Sequence, residues 1–66
     1  MNLIEYDGKK VIIQTKKNRI FRGTIGDYIY PEDDDTNREC IVIDDPHYGN
    51  PIGFYEEDIK SIEIIE

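Results

Sequence analysis

The chain has one cysteine, one histidine, no tryptophan and no long apolar run. A disulfide within the chain is excluded because Cys40 has no partner cysteine, and a single thiol fits a reducing, cytoplasmic setting. His47, the only histidine, leaves no cluster of Cys and His ligands for zinc. No apolar stretch approaches the ~20 residues of a membrane span, and the start, MNLIEYDGKK, lacks the basic and apolar segments of a secretory signal.

The length of 66 residues favours one domain over residues 1–66 with one modest core. Such a chain buries only about 60% of its unfolded surface on folding. Domains of this size commonly need a disulfide, a metal or a partner chain for stability. With no disulfide available, we expect either an efficient core or a homo-oligomer.

Basic residues are fewer than acidic ones, and the two kinds are unevenly distributed along the chain. The net charge is −7, yet residues 1–23 carry six basic and two acidic side chains, a net charge of +4. Residues 24–66 carry two basic and thirteen acidic side chains, a net charge of −11. Because neutralised phosphates supply much of the affinity for nucleic acids, only the first segment suits such a partner. The acidic remainder is simplest to explain as a solubilising surface.

The pattern along the chain predicts an all-β fold of five short strands. Strongly β-favouring runs alternate with turn-rich segments, which is typical of a small barrel or a rolled-up sheet. The predicted strands are Val11–Lys16, Arg19–Ile25, Cys40–Asp44, Ile52–Tyr55 and Ile59–Ile65. Before them, Met1 to Tyr6 allows one short helical turn with Asn2 as its cap.

The first two strands are predicted to form a hairpin whose loop is Lys16-Lys17-Asn18, with Asn18 left-handed. Gly23 and Gly26 inside the second strand indicate a bend or bulge that lets one strand serve both halves of a barrel. One face is then mostly apolar, as a barrel wall requires. The predicted core is Val11, Ile13, Phe21, Ile25, Val42, Ile62 and Ile64.

The run from Gly8 to Ile25, GKKVIIQTKKNRIFRGTI, resembles the first motif of the Sm-like family. The tail Gly53-Phe54…Ile59…Ile62-Glu63-Ile64 is loosely similar to the closing strands of the same fold. The resemblance implies a strongly bent, five-stranded, SH3-like barrel. It also implies rings formed by pairing edge strands between subunits, and RNA binding near the ring pore.

Two departures from the family pattern concern RNA. Sm proteins carry an Asp and an Asn in the loop after the second strand, where this chain has Tyr28 to Pro31 followed by an acidic stretch, and only Asn37 comes near. The second Sm motif supplies an Arg-Gly or similar pair, where this chain has Glu57-Asp58. We therefore expect the fold to carry over without the RNA site.

Two sets of residues are candidates for binding. Lys16, Lys17 and Arg19 at the hairpin tip suit a phosphate or an acidic partner, with solvated turn residues as the plain alternative. Aromatic residues suit a peptide groove of the kind found on SH3-like barrels, or else ordinary core and strand-surface positions. The tyrosines of this candidate groove are Tyr28, Tyr30, Tyr48 and Tyr55.

No set of residues indicates catalysis or a resident cofactor. Asp33, Asp35, Asn37 and Asp44 match part of a calcium-loop spacing, but Arg38 replaces the required glycine, so a solvated acidic loop is favoured and no metal is expected. His47 lacks a nucleophile at a recognisable spacing, and Cys40 in an apolar strand is read as a buried small hydrophobe.

Two functions remain. The first is a non-enzymatic interaction or assembly module of Sm-like type that binds a protein or peptide partner and self-associates. The alternative is an Sm-like RNA-binding ring that uses the hairpin tip.

Overall fold

The computed structural model describes residues 2–65, which form five strands and four short 3₁₀ turns, with no α-helix among them. The strands are β1 (Lys10–Thr15), β2 (Ile20–Ile29), β3 (Cys40–Ile43), β4 (Ile52–Tyr55) and β5 (Ile59–Ile64). The 3₁₀ turns are Leu3–Tyr6, Pro31–Asp33, Pro46–Tyr48 and Glu56–Asp58. The all-β class is confirmed. No helix in the described part of the chain is long and apolar enough to cross a membrane.

The strand positions agree with the prediction apart from their ends, and β2 continues four residues past its predicted end at Ile25. The predicted N-terminal turn is found at Leu3–Tyr6, while Met1 lies outside the described residues. Asn2 precedes this turn, but its side chain makes no capping hydrogen bond; the backbone carbonyl of Asn2 accepts from the Glu5 N–H instead.

All five strands belong to one antiparallel sheet with the order β4-β3-β2-β1-β5. The sheet is not closed: β4 and β5 are its edges, and no ladder joins them within residues 2–65. An edge strand presents unpaired backbone N–H and C=O groups that can pair with another chain. The two edges are therefore the places at which the fold can be extended.

The hairpin of β1 and β2 has the predicted register, with Val11 opposite Gly23 and Ile13 opposite Phe21. Asn18 is left-handed, with φ of 63°, as predicted. The Thr15 hydroxyl shapes the turn by accepting hydrogen bonds from the backbone N–H groups of Lys17 and Arg19, at 3.3 and 3.2 Å.

The predicted bend in β2 lies at Gly26. The register with β3 shifts between Ile25 and Asp27, so one extra residue is accommodated there. The inward face consequently moves from odd to even positions, and both Ile25 and Tyr28 contact the core. Gly23 permits β3 to approach, because a Cβ atom added at Gly23 would lie 2.9 Å from the Ile43 Cγ2 atom.

One apolar cluster lies between the two halves of the bent sheet and beneath the N-terminal turn. The predicted core residues Val11, Ile13 and Ile25 are buried, while Phe21 and Ile62 are partly buried against the cluster. Cys40 is buried, as predicted. The cluster also contains Leu3, Ile41, Ile43, Phe54 and Ile59.

Two of the core predictions are wrong. Val42 is only half-buried, because its neighbours Ile41 and Ile43 point inward and alternation along β3 places Val42 on the other face. Ile64 pairs with Val11 but remains 44% exposed. The reason is that β5 is an edge strand, and no other strand formed by residues 2–65 covers its outer side.

Candidate functional site

The hairpin tip is formed by the predicted binding residues Lys16, Lys17 and Arg19, all of which are exposed. The Thr15 hydroxyl accepts hydrogen bonds from the backbone N–H groups of this turn, so the three basic side chains are not needed to stabilise it. Their charged groups make no ion pair with any residue in the range 2–65. The tip is therefore a small positive surface available to an outside partner.

A groove of about 470 Å³ separates the hairpin tip from the edge strand β4. We call it the tip groove. Its lining residues are Thr15, Lys16, Lys17, Arg19, Gly53, Phe54, Glu57 and Asp58. The structure thus brings the three predicted basic residues together beside an open sheet edge.

The two carboxylates of the tip groove already have partners. Asp58 Oδ2 accepts a hydrogen bond from the Tyr55 backbone N–H at 3.1 Å, which ends β4 and begins the turn into β5. Glu57 forms an ion pair with Arg38 from the β2–β3 connection. Three cations therefore face one carboxylate, Asp58, that has no cationic partner within residues 2–65, so positive charge is in excess in the groove.

The acidic loop, residues 31–39, is not simply a solvated connection. Asp34 Oδ2 accepts from the Thr36 backbone N–H at 2.9 Å and from the Thr36 hydroxyl, and Asp34 Oδ1 accepts from the Tyr55 hydroxyl at 2.8 Å. The Thr36 and Tyr55 hydrogen bonds lower the pKa of Asp34 from 3.8 to about 2. The pKa falls because these hydrogen bonds favour the charged carboxylate. The bond from Tyr55, the last residue of β4, attaches the acidic loop to that strand.

Tyr55 is enclosed by the same loop. The Arg38 guanidinium lies over the Tyr55 ring, 3.8 Å from its centroid, in the geometry of a cation–π contact. The hydrogen bond to Asp34 raises the pKa of Tyr55, since the acceptor carboxylate disfavours a phenolate. Tyr55 therefore anchors the acidic loop.

Tyr28 and Tyr30 form a separate pair, with ring centroids 4.9 Å apart and an edge-on arrangement. The Tyr28 hydroxyl donates to Glu39 Oε1 at 3.0 Å, and the Leu3 backbone N–H approaches Glu39 Oε2 at 3.4 Å. Partial burial, followed by the Glu39 hydrogen bond, raises the pKa of Tyr28 from 10.0 to about 12. Tyr30 is 50% exposed and is the more accessible of the two rings.

The Tyr48 side chain bonds to the part of β2 that extends beyond the end of β3. Its hydroxyl accepts from the Arg22 N–H at 2.9 Å and donates to the Arg22 carbonyl at 3.2 Å. Its ring lies 5.6 Å from that of Phe21. Both polar groups of the Arg22 backbone are thereby paired with a side chain in place of a neighbouring strand.

The predicted tyrosines consequently occupy three environments rather than one continuous groove. Tyr28 pairs with Tyr30, Tyr48 packs on Phe21, and Tyr55 lies beneath Arg38. A second groove, of about 690 Å³, lies between the acidic loop and the turn before β5. It is lined by Lys16, Pro31, Asn37, Arg38, Glu39, Glu56, Glu57 and Ile59.

The chemistry available at these sites is that of charge and hydrogen bonding. Burial raises the pKa of the Cys40 thiol, so the reactive thiolate is disfavoured. The His47 ring packs against Tyr48 with centroids 5.2 Å apart. Within residues 2–65, no three His, Cys, Asp or Glu side chains are grouped as metal ligands would be.

Sequence reasoning did not identify Asp34, Arg38, Glu39, Gly53 or Asp58 as site residues. Asp34 and Arg38 stand in a stretch dominated by charged residues, 32–39, and their contacts with Tyr55 are what distinguish them. Gly53 had a signal, since a glycine inside a strand often marks a close approach. A Cβ atom at Gly53 would lie 3.1 Å from Cys40 Sγ.

No family model, no curated protein and no solved structure matches this chain.

Proposed function

We propose that this protein is a non-enzymatic, Sm-like interaction module that binds protein partners and assembles through the edges of its sheet. The observation that carries the proposal is the open sheet with β4 and β5 as unpaired edges. Support for the Sm-like type comes from the short N-terminal turn, the long β2 bent at Gly26 and the strand order. A single buried thiol, Cys40, suits a reducing compartment such as the cytoplasm.

Protein is favoured over RNA because of the charge near β5. Where the resemblance leads one to expect a basic group, Glu57 pairs with Arg38 and Asp58 caps the turn. The basic group that would contact a phosphate is therefore replaced by carboxylates. RNA binding nevertheless remains the second candidate, because Lys16, Lys17 and Arg19 are unpaired cations on one surface.

Assembly of copies would join the basic hairpin of one subunit to the acidic later strands of the next. Charge pairs of this type speed association more than they hold the complex, so the apolar edge near Ile64, which is 44% exposed, supplies the holding contact. Raising the salt concentration should slow assembly without abolishing it.

Light scattering at about 100 μM protein and low salt, where steering is strongest, tests assembly. We expect a mass of several subunits, and a strictly monomeric mass would contradict self-assembly.

Fluorescence polarisation with poly-U and poly-A tests the alternative function. We expect negligible RNA affinity at about 0.15 M salt, and submicromolar binding with a steep salt dependence would establish the RNA alternative. The triple variant Lys16→Glu, Lys17→Glu, Arg19→Glu should abolish any residual binding.

A further inference from the structure

We propose that the tip groove binds an extended acidic peptide segment of a partner protein. The segment pairs with β4 as an added strand, while its carboxylates meet Lys16, Lys17 and Arg19. This inference rests on the proposed function, because it names the partner that one edge of the module receives.

The direction of the β4 backbone groups supports strand addition. The Tyr55 N–H donates to Asp58, which lies beyond the end of β4 and is not part of β3. In an antiparallel ladder the N–H and C=O groups of alternate residues point to the same side. The N–H and C=O of Gly53 therefore point to the open edge, and Gly53 is exposed and lines the tip groove.

Gly53 is exposed where it lines the tip groove, so its backbone is open to an incoming strand. Phe54 also lines the groove, but it is only 3% exposed and its ring belongs to the core. The groove therefore offers mainly a backbone edge, which is what an extended peptide pairs with when it adds to a sheet.

Charge selects an acidic segment. The three cations of the tip make no ion pair within residues 2–65. Of the two carboxylates that line the groove, Glu57 is neutralised by Arg38 and only Asp58 keeps an unpaired negative charge. A peptide carboxylate brought into the groove would thus meet an excess of positive charge. A nucleic acid would supply phosphates but no strand to pair with Gly53, which is why a peptide is the better occupant.

The probe for testing this inference is a seven-residue peptide in which glutamate and valine alternate, with a fluorescent label at one end. A matched peptide replaces each glutamate with lysine, and a third carries a methyl group on every backbone nitrogen, so that neither of its edges has an N–H to donate to a neighbouring strand. Fluorescence polarisation with the 66-residue chain measures binding of all three. We expect the glutamate peptide to bind at least about tenfold more tightly than either control.

Protein variants locate the binding site. Lys16→Glu, Lys17→Glu and Arg19→Glu together should weaken the glutamate peptide by about tenfold or more. The control combines Lys9→Glu, Lys10→Glu and Arg22→Glu, which makes the same change in net charge away from the tip groove. We expect the control variant to retain most of the affinity, and circular dichroism should show both variants folded.

Equal binding of the lysine peptide or of the N-methylated peptide would overturn the inference, as would equal loss of affinity in the two triple variants. A further outcome is that the protein self-associates but the glutamate peptide neither binds nor changes the mass. That result would refute the peptide inference and leave the proposed assembly function standing.

Discussion

In the acidic loop, charged side chains are used to fix the backbone, whereas in the hairpin tip they are left free. Asp34 accepts from Thr36 and Tyr55, and Arg38 pairs with Glu57. By contrast, Lys16 and its basic neighbours at the tip make no ion pair with the described part of the chain. The charges of the acidic loop thus stabilise the fold, whereas those of the hairpin tip are available to a partner.

The difference follows from how each connection satisfies its backbone. The hairpin turn is short, and the Thr15 hydroxyl binds its N–H groups directly. The acidic loop is longer and has no ladder along its length, so its polar groups need side-chain partners. A density of charge in the sequence therefore does not indicate which charges are available to a ligand.

The largest expected effect on stability is that of truncating a core residue in β3, the strand that follows the acidic loop. Ile41→Ala, at a fully buried position in β3, should lower the free energy of unfolding by about 2–5 kcal/mol, since truncation leaves a cavity. Ile20→Ala in the basic hairpin, where the side chain is 61% exposed, should change it by about 0.5 kcal/mol or less. Urea denaturation measures both, and equal losses would show that the core is placed incorrectly.

A smaller effect is expected when the loop anchor is removed. Asp34→Asn should destabilise the protein, because an amide is a weaker acceptor for Thr36 and Tyr55 than a carboxylate. Asp33→Asn makes the same change at an exposed neighbour and serves as the control. If urea denaturation finds the two variants equally stable, the acidic loop is as free as the hairpin tip, and the contrast between them fails.

The pH dependence of stability tests whether the Asp34 carboxylate is the group that holds the acidic loop. The pKa of Asp34 is about 2 in the folded protein against an ordinary 3.8, so its stabilisation is fully present above about pH 4 and is lost as pH falls through about 2. The difference in unfolding free energy between the wild type and Asp34→Asn should therefore shrink over that interval. A difference that stays constant down to pH 2 would show that another group is responsible.

The smallest effect on stability is expected at the hairpin tip. Lys16→Glu, Lys17→Glu and Arg19→Glu should each change the free energy of unfolding by about 0.5 kcal/mol or less, because these exposed side chains make no ion pair within residues 2–65. The same variants should alter peptide binding and the rate of assembly. Thermal denaturation measures the first effect, and a loss of stability comparable to that of Asp34→Asn would mean that the tip is a structural element.

Much of the fold could be predicted because it depends on local pattern. The alternation around Ile13 and Phe21 set the hairpin register, and Asn18 marked the left-handed turn. The register of β3 could not be obtained in this way. It depends on a bulge at Gly26, which exchanges the inward and outward positions and buries Ile41 in place of Val42.

The candidate site was predicted only in part for a related reason. Lys16, Lys17 and Arg19 lie within a few residues of each other, so a tight turn is enough to bring them together. The sequence by itself thus determined the five strands, the hairpin and its positive tip, because contacts between near neighbours in the chain produce all of them. Only the tertiary structure decided which charges are free and which edge faces the tip, because Asp34 binds Tyr55, and Gly53 lines one groove with the hairpin tip, across long separations in the chain.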